Sequence, residues 1–160
     1  MHRQDIVHRD IKPENVLVIS ESDFQVCIAD LGLASRLSDK TLLSQKCGSP
    51  GYVDPEVLKG FPFTARSDIF SLGCLLYDLV AQKMLFDGKN LRELLTNNQY
   101  MPTEKSVTAN CPNVTPECRD LLNKMLEKSQ ARRMSAEDCL KHQWFKKDAS
   151  HLRQILLINK

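Results

Sequence analysis

Hydrophobic residues along this chain fall into two periodicities. Val16-Leu17-Val18-Ile19-Ser20 and Phe24-Gln25-Val26-Cys27-Ile28-Ala29 are β-rich runs on either side of Glu21-Ser22-Asp23, a polar connection of hairpin length. They predict an antiparallel ribbon whose outer ends, Asn15 before the first strand and Asp30 after the second, emerge side by side. Over 67–82 the apolar positions Ile69, Leu72, Leu75, Leu76, Leu79 and Val80 have helical spacing, and Phe70, Cys74 and Tyr77 fill the remaining sides. A helix apolar nearly all round is a buried one, so this segment reads as the central core helix. Further helices are predicted over 90–98, over 115–128, where Thr115 can cap and Pro116 suits the first turn, and over 135–142, where Ser135 and Asp138 form a capping box. Polar and small residues over 33–53 predict a long loop, of a length that in compact domains usually carries function. No internal repeat, low-complexity tract or linker breaks the chain.

With 160 residues, 42% hydrophobic and 26% charged, the chain is long enough for one domain with its own core. The net charge of +2 is small and spread out; residues 111–160 carry ten Lys/Arg against six Asp/Glu, which reads as a solvated face and not a nucleic-acid surface. Apolar stretches fall far short of the roughly 20 residues a membrane helix needs, so no membrane insertion is expected. The six cysteines include no C-x-x-C pair, and Cys27 and Cys74 sit in apolar patterns that suggest buried thiols. A reducing, intracellular setting, cytoplasm or nucleus, follows as the expectation, with no zinc site. The polar opening Met1-His2-Arg3-Gln4 has no secretory character.

The chemistry concentrates in Val7 to Leu17, reading VHRDIKPENVL, and in Asp30-Leu31-Gly32. Phosphoryl transfer needs a group that orients the attacking hydroxyl, a cation for the phosphate oxygens, and oxygen ligands for hard metal ions. Asp10, Lys12, Asn15 and Asp30 supply that set. Asp10 would orient the hydroxyl and accept its proton, Lys12 would hold the transferring phosphate, and Asn15 and Asp30 would ligate Mg2+. Gly32 would allow a sharp turn after the metal ligand.

These motifs resemble the catalytic loop and the metal-binding DFG motif of protein kinases. The likeness extends over nearly the whole chain. Gly48-Ser49-Pro50-Gly51-Tyr52 with Asp54-Pro55-Glu56 is similar to the close of the activation segment, Ser67-Asp68-Ile69-Phe70-Ser71-Leu72-Gly73 to the start of the core helix, and His142-Gln143-Trp144-Phe145 to the end of the domain. The implied fold is protein-kinase-like: a mainly α-helical large lobe with a short β-hairpin over 1–146, the small lobe absent, and a tail over 147–160 that reads as helical. That tail, with Leu152, Ile155, Leu156 and Ile158, suits either a regulatory helix or one that closes the lobe.

The resemblance implies ATP and Mg2+ as cofactors and protein substrates as partners, and Lys12 two positions after Asp10 places the chain with the serine/threonine type, most like calmodulin-dependent-kinase-like members. It implies that Lys12, Asn15 and Asp30 bind the nucleotide and that His8 and Arg9 brace the loop. Ser49 would shape the acceptor site, Glu14 would meet a basic substrate residue, and Glu56 would form a buried pair with Arg133. Asp68 would anchor the catalytic-loop backbone or serve as a plain helix-start acid. Arg9 would also receive an activation-loop phosphate placed by an upstream kinase on Ser38, Thr41 or Ser44. Gln45 occupies the position where many such sequences carry threonine. Leu31, Asp54 and Phe70 depart from the family's phenylalanine, alanine and tryptophan or tyrosine, substitutions expected to be tolerated by size or exposure.

No G-x-G-x-x-G occurs among the six glycines, and seven residues precede His8. Kinases grip nucleotide with such a loop and a strand lysine, so the chain alone is expected to bind ATP weakly and to leave one face of the core helix bare. Two functions compete: the catalytic lobe of a serine/threonine kinase, and a docking or regulatory module built on the same lobe without turnover.

Overall fold

The computed structural model describes residues 1–22 and 25–146; the 147–160 tail and Phe24 of the expected second strand lie outside the described residues. In chain order the strands are β1 (Ile6–Val7), β2 (Val16–Ser20), β3 (Gln25–Ile28) and β4 (Ser35–Arg36). The helices are α1 (Lys40–Leu43), α2 (Pro55–Leu58), α3 (Ala65–Ala81), α4 (Leu91–Tyr100), α5 (Thr103–Asn110), α6 (Pro116–Met125), α7 (Ala136–Leu140) and α8 (Gln143–Lys146). One-turn 3-10 helices cover His2–Gln4 and Pro13–Asn15.

α3 organises the rest. Its start is fixed by a reciprocal cap: the Arg66 amide donates to the Thr64 hydroxyl (3.2 Å), and the Thr64 amide donates to Ser67 Oγ (3.0 Å). It ends where Gln82 turns left-handed at φ 53°. Phe70, Cys74 and Tyr77 point into a cluster with Phe86, Leu122 and Leu126, while Ile69 joins Leu121, Met125 and Cys139 in a second. Each large side chain so buried contributes roughly 1.5–3 kcal/mol. α6 approaches α3 closely at Gly73, where a Cβ would meet Met125 Cβ at 3.0 Å. Val7, Leu43, Val53, Val57 and Phe63 form a third cluster beneath the loops that carry the site.

The expected core helix is present, shifted two residues earlier at its start, and one stripe of it is bare: Leu72 is 39% and Leu79 57% exposed. The caps Asn90, Thr115 and Ser135 all open helices as read, but the second and third of these helices end earlier than expected. α5 has no apolar periodicity to announce it; only Thr103 and Val107 are buried in it. The 33–53 segment is not a featureless loop. β4 pairs antiparallel with β1, Ile6 opposite Arg36 and Val7 opposite Ser35, and Asp39 caps α1 by accepting from the Leu42 amide (2.9 Å). Cys74 is buried, whereas Cys27 is half-buried because its ribbon lies open. At the end of the domain Trp144 packs against the core and Phe145 is exposed. No helix among the described residues is long and apolar enough to cross a membrane.

The ribbon β2–β3 pairs Val16 with Ile28, Leu17 with Cys27 and Val18 with Val26. Its side chains project from both faces into solvent, Val18 and Ile19 each 63% exposed.

Candidate active site

The loop from His8 to Asn15 is anchored to the core helix before any functional side chain is considered. Asp68, buried near the start of α3, accepts the backbone amides of His8 (2.8 Å) and Arg9 (2.9 Å), and its Oδ2 also lies 2.8 Å from His2 Nε2. His8 is fully buried; its Nε2 donates to the Ala29 carbonyl (3.0 Å) and its Nδ1 accepts from the Asp10 amide (3.3 Å). Those two partners define the neutral tautomer with the proton on Nε2. The contact to Ala29, with the Ala29 amide donating to the Asn15 carbonyl (2.8 Å), joins the catalytic-type loop to the residue before Asp30.

Three side chains meet above that anchor. Ser49 Oγ donates to Asp10 Oδ1 (2.8 Å), Lys12 Nζ lies 3.0 Å from Asp10 Oδ2, and Lys12 Nζ donates to Ser49 Oγ (2.9 Å). Asn15 adds its amide nitrogen, which donates to the Asp10 carbonyl (2.9 Å) and to Asp10 Oδ2 (3.3 Å). Burial works to raise the Asp10 pKa, but the hydrogen bonds from Ser49 and Lys12 outweigh it and hold the carboxyl below its ordinary value. The Lys12 pKa is raised, first by its hydrogen bond to Asp10, with Glu14 and Asp30 adding attraction. Asp10 is therefore ionised at neutral pH and suited to orienting a hydroxyl group by accepting its proton in a hydrogen bond.

Asp30 is exposed, in the left-handed region at φ 58°, with Oδ1 accepting the Gly32 amide at 3.1 Å. Asn15, its N–H groups spent on Asp10, retains its amide oxygen for a cation. A carboxylate and an amide oxygen at one end of a ribbon are hard donors of the kind Mg2+ takes alongside substrate phosphates and water. Among the described residues no group of three or more His, Cys, Asp or Glu side chains is placed to hold a metal ion.

Arg9, also left-handed at φ 69°, is buried. Its Nε donates to the Leu33 carbonyl (2.6 Å), its Nη1 to the Leu42 carbonyl (2.5 Å), and its guanidinium lies 5.6 Å from the centre of the Phe63 ring. Ser38, Thr41 and Ser44 are all exposed, and Ser44 Oγ donates to the Lys40 carbonyl (2.9 Å). Glu14 is exposed at the edge of the site.

One expected pairing is replaced. Arg133, fully buried, pairs with Asp54, not Glu56: Nη1 lies 2.6 Å from Asp54 Oδ2 and Nη2 3.3 Å from Oδ1. Glu56 instead accepts the backbone amide of Gln130. Asp54 is also wholly buried, contrary to its expected tolerance by exposure, and caps α2 by accepting the Glu56 amide at 2.8 Å. The reason is positional. Asp54 precedes the helix and aims inward at Arg133, whereas Glu56, two residues on and so about half a turn round, faces Gln130. The cap was legible in Asp-Pro-Glu, with proline at the first helical position. The partner of Arg133 was not, because two carboxylates two residues apart offer the same charge.

A family model described as the protein kinase domain matches residues 1–145. Relatives include testis-specific serine/threonine-protein kinase 1 of Mus musculus, 36% identical over 160 residues, covering 94% of this chain and 42% of that protein. Serine/threonine-protein kinase ATG1b of Arabidopsis thaliana is 34% identical over 139 residues, 86% of this chain and 19% of that protein. A Dictyostelium discoideum serine/threonine-protein kinase is 36% identical over 145 residues, 90% of this chain and 17% of its own length. The chain thus spans less than half the length of each of these relatives. With the match running through both polar motifs and the core helix that anchors them, the chain belongs to the protein kinase family, beside relatives that are serine/threonine kinases.

Proposed function

We propose that these residues form the large lobe of a serine/threonine kinase of the calmodulin-dependent-kinase-like type, transferring the terminal phosphoryl group of ATP to hydroxyl groups of protein substrates inside the cell. The observation that carries this reading is the closed Asp10–Ser49–Lys12 cluster, with Asn15 and Asp30 at the same end of the ribbon. A substrate hydroxyl would displace Ser49 from Asp10 Oδ1 and leave its proton on that oxygen as its own oxygen bonds to the γ-phosphorus and the bond from that phosphorus to the β,γ-bridging oxygen breaks, releasing ADP. Lys12 would neutralise the equatorial phosphate oxygens without changing its own protonation. Mg2+, held by Asn15 and Asp30, would supply charge neutralisation on the phosphates. Asp68 would keep the loop in register through the amides of His8 and Arg9, and Glu14 would read a basic side chain on the substrate.

The chain has no G-x-G-x-x-G, so weak nucleotide affinity from these residues alone belongs to the same proposal. A docking or regulatory module without turnover is the second reading, favoured by the apolar ribbon lying open on both faces. The test is phosphate incorporation into a generic serine peptide with Mg-ATP, using the reading frame extended upstream where it continues. Asp10→Asn should lower turnover by orders of magnitude with the fold retained, and Lys12→Ala should do the same. Undiminished turnover in Asp10→Asn would remove the assignment, and an extended frame without any glycine-rich loop would favour the second reading.

A further inference from the structure

Lys128 lies in the connection after α6, where its carbonyl accepts Arg133 Nη2 at 3.2 Å. Its side chain runs over two aromatic faces, with Nζ 4.6 Å from the centre of the Phe86 ring and 5.5 Å from that of Phe70. The amine donates to the backbone carbonyl of Asn98, near the end of α4. None of the ion pairs among the described residues includes it, and the buried acid of this region, Asp54, is taken up by Arg133 at 2.6 Å. The same lysine borders a recess of about 510 Å³, whose wall also includes Pro102, Thr103 and Leu126. Glu127 and Arg132, in that lining too, are paired with each other at 3.0 Å.

We infer that Lys128 is an acylation site, its amine taking an acyl group from a small activated donor, an acyl phosphate or acyl thioester, that enters by the recess beside Pro102, Thr103 and Leu126. An amine paired with a carboxylate keeps its proton, whereas this one is paired with a neutral carbonyl. Burial comes first in pulling its pKa from 10.5 to about 8, with the like charges of Lys59 and Arg133 adding to it against the opposing pulls of Cys74 and Asp54. A lysine desolvated among apolar groups and beside another cation is an activated nucleophile. Its nitrogen bonds to the acyl carbon as the bond from that carbon to the phosphate oxygen or the sulfur breaks, and the proton leaving nitrogen balances the departing phosphate or thiolate. The product suits the place. A secondary amide keeps one N–H for the Asn98 carbonyl, and burial no longer opposes a charge. The wholly buried Asn98 side chain has neither its oxygen nor its nitrogen hydrogen-bonded, so that residue has a donor unspent for the new carbonyl oxygen. Nothing in this inference draws on phosphoryl transfer.

The experiment gives the 160-residue chain short pulses of acetyl phosphate or, separately, acetyl-coenzyme A between pH 7 and 10, with acetylation read site by site by mass spectrometry. Lys89 and Lys105, both exposed, are the internal references. At pH 7.5 Lys128 should be modified about tenfold or more faster than either, because an amine at about 8 in place of 10.5 holds roughly two orders of magnitude more neutral form and restricted access takes back part of that gain. Its rate should level off above about pH 8 while the reference rates climb on toward pH 10. In urea the three should react alike. Excess modification by acetyl phosphate alone identifies the donor as an acyl phosphate, and by both admits thioesters. No excess at Lys128 with either donor overturns the inference. So does a Lys128 rate that climbs with pH as the references do, or an excess that survives in urea, which would belong to the local sequence and not to the recess.

Discussion

Replacing Asp54 by alanine removes the carboxylate that neutralises a fully buried guanidinium. Arg133 would keep its hydrogen bonds to the carbonyls of Glu127 (2.7 Å), Arg66 (2.8 Å) and Lys128 (3.2 Å), so its N–H groups would not all be orphaned. Its charge would be. Breaking a buried pair from one side costs about 3–5 kcal/mol, a large part of the roughly 5–15 kcal/mol by which domains are stable. The helix cap lost from α2 adds about 1 kcal/mol. Glu56→Gln, by contrast, preserves an oxygen that can accept the Gln130 amide and should cost about 1 kcal/mol or less. Urea unfolding at pH 7 separates the two: with a slope of about 1–3 kcal/mol per molar, Asp54→Ala should lower the midpoint by more than about 1 M and Glu56→Gln by a small fraction of that. Asp54→Leu combined with Arg133→Met should recover part of the loss, because a buried pair replaced as a unit by apolar groups is often neutral. Equal midpoints for Asp54→Ala and Glu56→Gln, or a larger shift for Glu56→Gln, would show that the pairing assigned to Asp54 is wrong.

Three further outcomes are expected. Burial on the faces of Phe70 and Phe86 lowers the Lys128 pKa to about 8 from its ordinary 10.5; between those values the unfolded chain holds a proton the folded one lacks, so this lysine's contribution rises with pH. Unfolding measured from pH 8 to 10 should therefore climb more steeply in the unmodified chain than in Lys128→Met, and parallel curves would contradict the burial argument. Ser49→Ala removes a hydrogen bond that opposes burial at Asp10, so the Asp10 pKa should rise; carboxyl carbon NMR titration reads it directly, and the stability Asp10 confers above pH 3.8, lost as pH falls through its folded pKa, should shrink. Gly48→Ala forces a left-handed alanine against the Arg9 carbonyl, so thermal unfolding should show a loss of about 1–2 kcal/mol from backbone strain alone, and an unchanged midpoint would mean the close approach is relaxed in solution.

How far the sequence disclosed this arrangement differs residue by residue. The antiparallel ribbon followed from two β-rich runs and a short polar link, and it brought Asn15 and Ala29 into contact; its register, irregular between Val18 and Ser20, did not. Thr115 and Ser135 were readable as caps because capping is chemistry between neighbours in sequence. α5 was invisible since TEKSVTAN buries so little that no period of 3.6 emerges. α1 hid because it is a single turn, too short for Leu42 and Leu43 to set a helical period behind the Asp39 cap. The Asp68 anchor could be narrowed to two roles but not to its recipients, because an amide 60 residues away leaves no local trace. The Arg133 partner failed for a related reason: charge complementarity names a sign, and direction along a turn of helix decides which carboxylate supplies it.

The ribbon β2–β3 has a practical consequence. Two short strands bearing Leu17, Val18, Ile19, Val26 and Ile28 outward offer greasy flanks and two strand edges to any other copy in solution. Purified chain should remain dispersed only when dilute, and concentrating it should favour clumping through these strands well before the helical core loosens. Lysine at position 18 or 26, on the outward side, is the natural remedy for anyone preparing the protein.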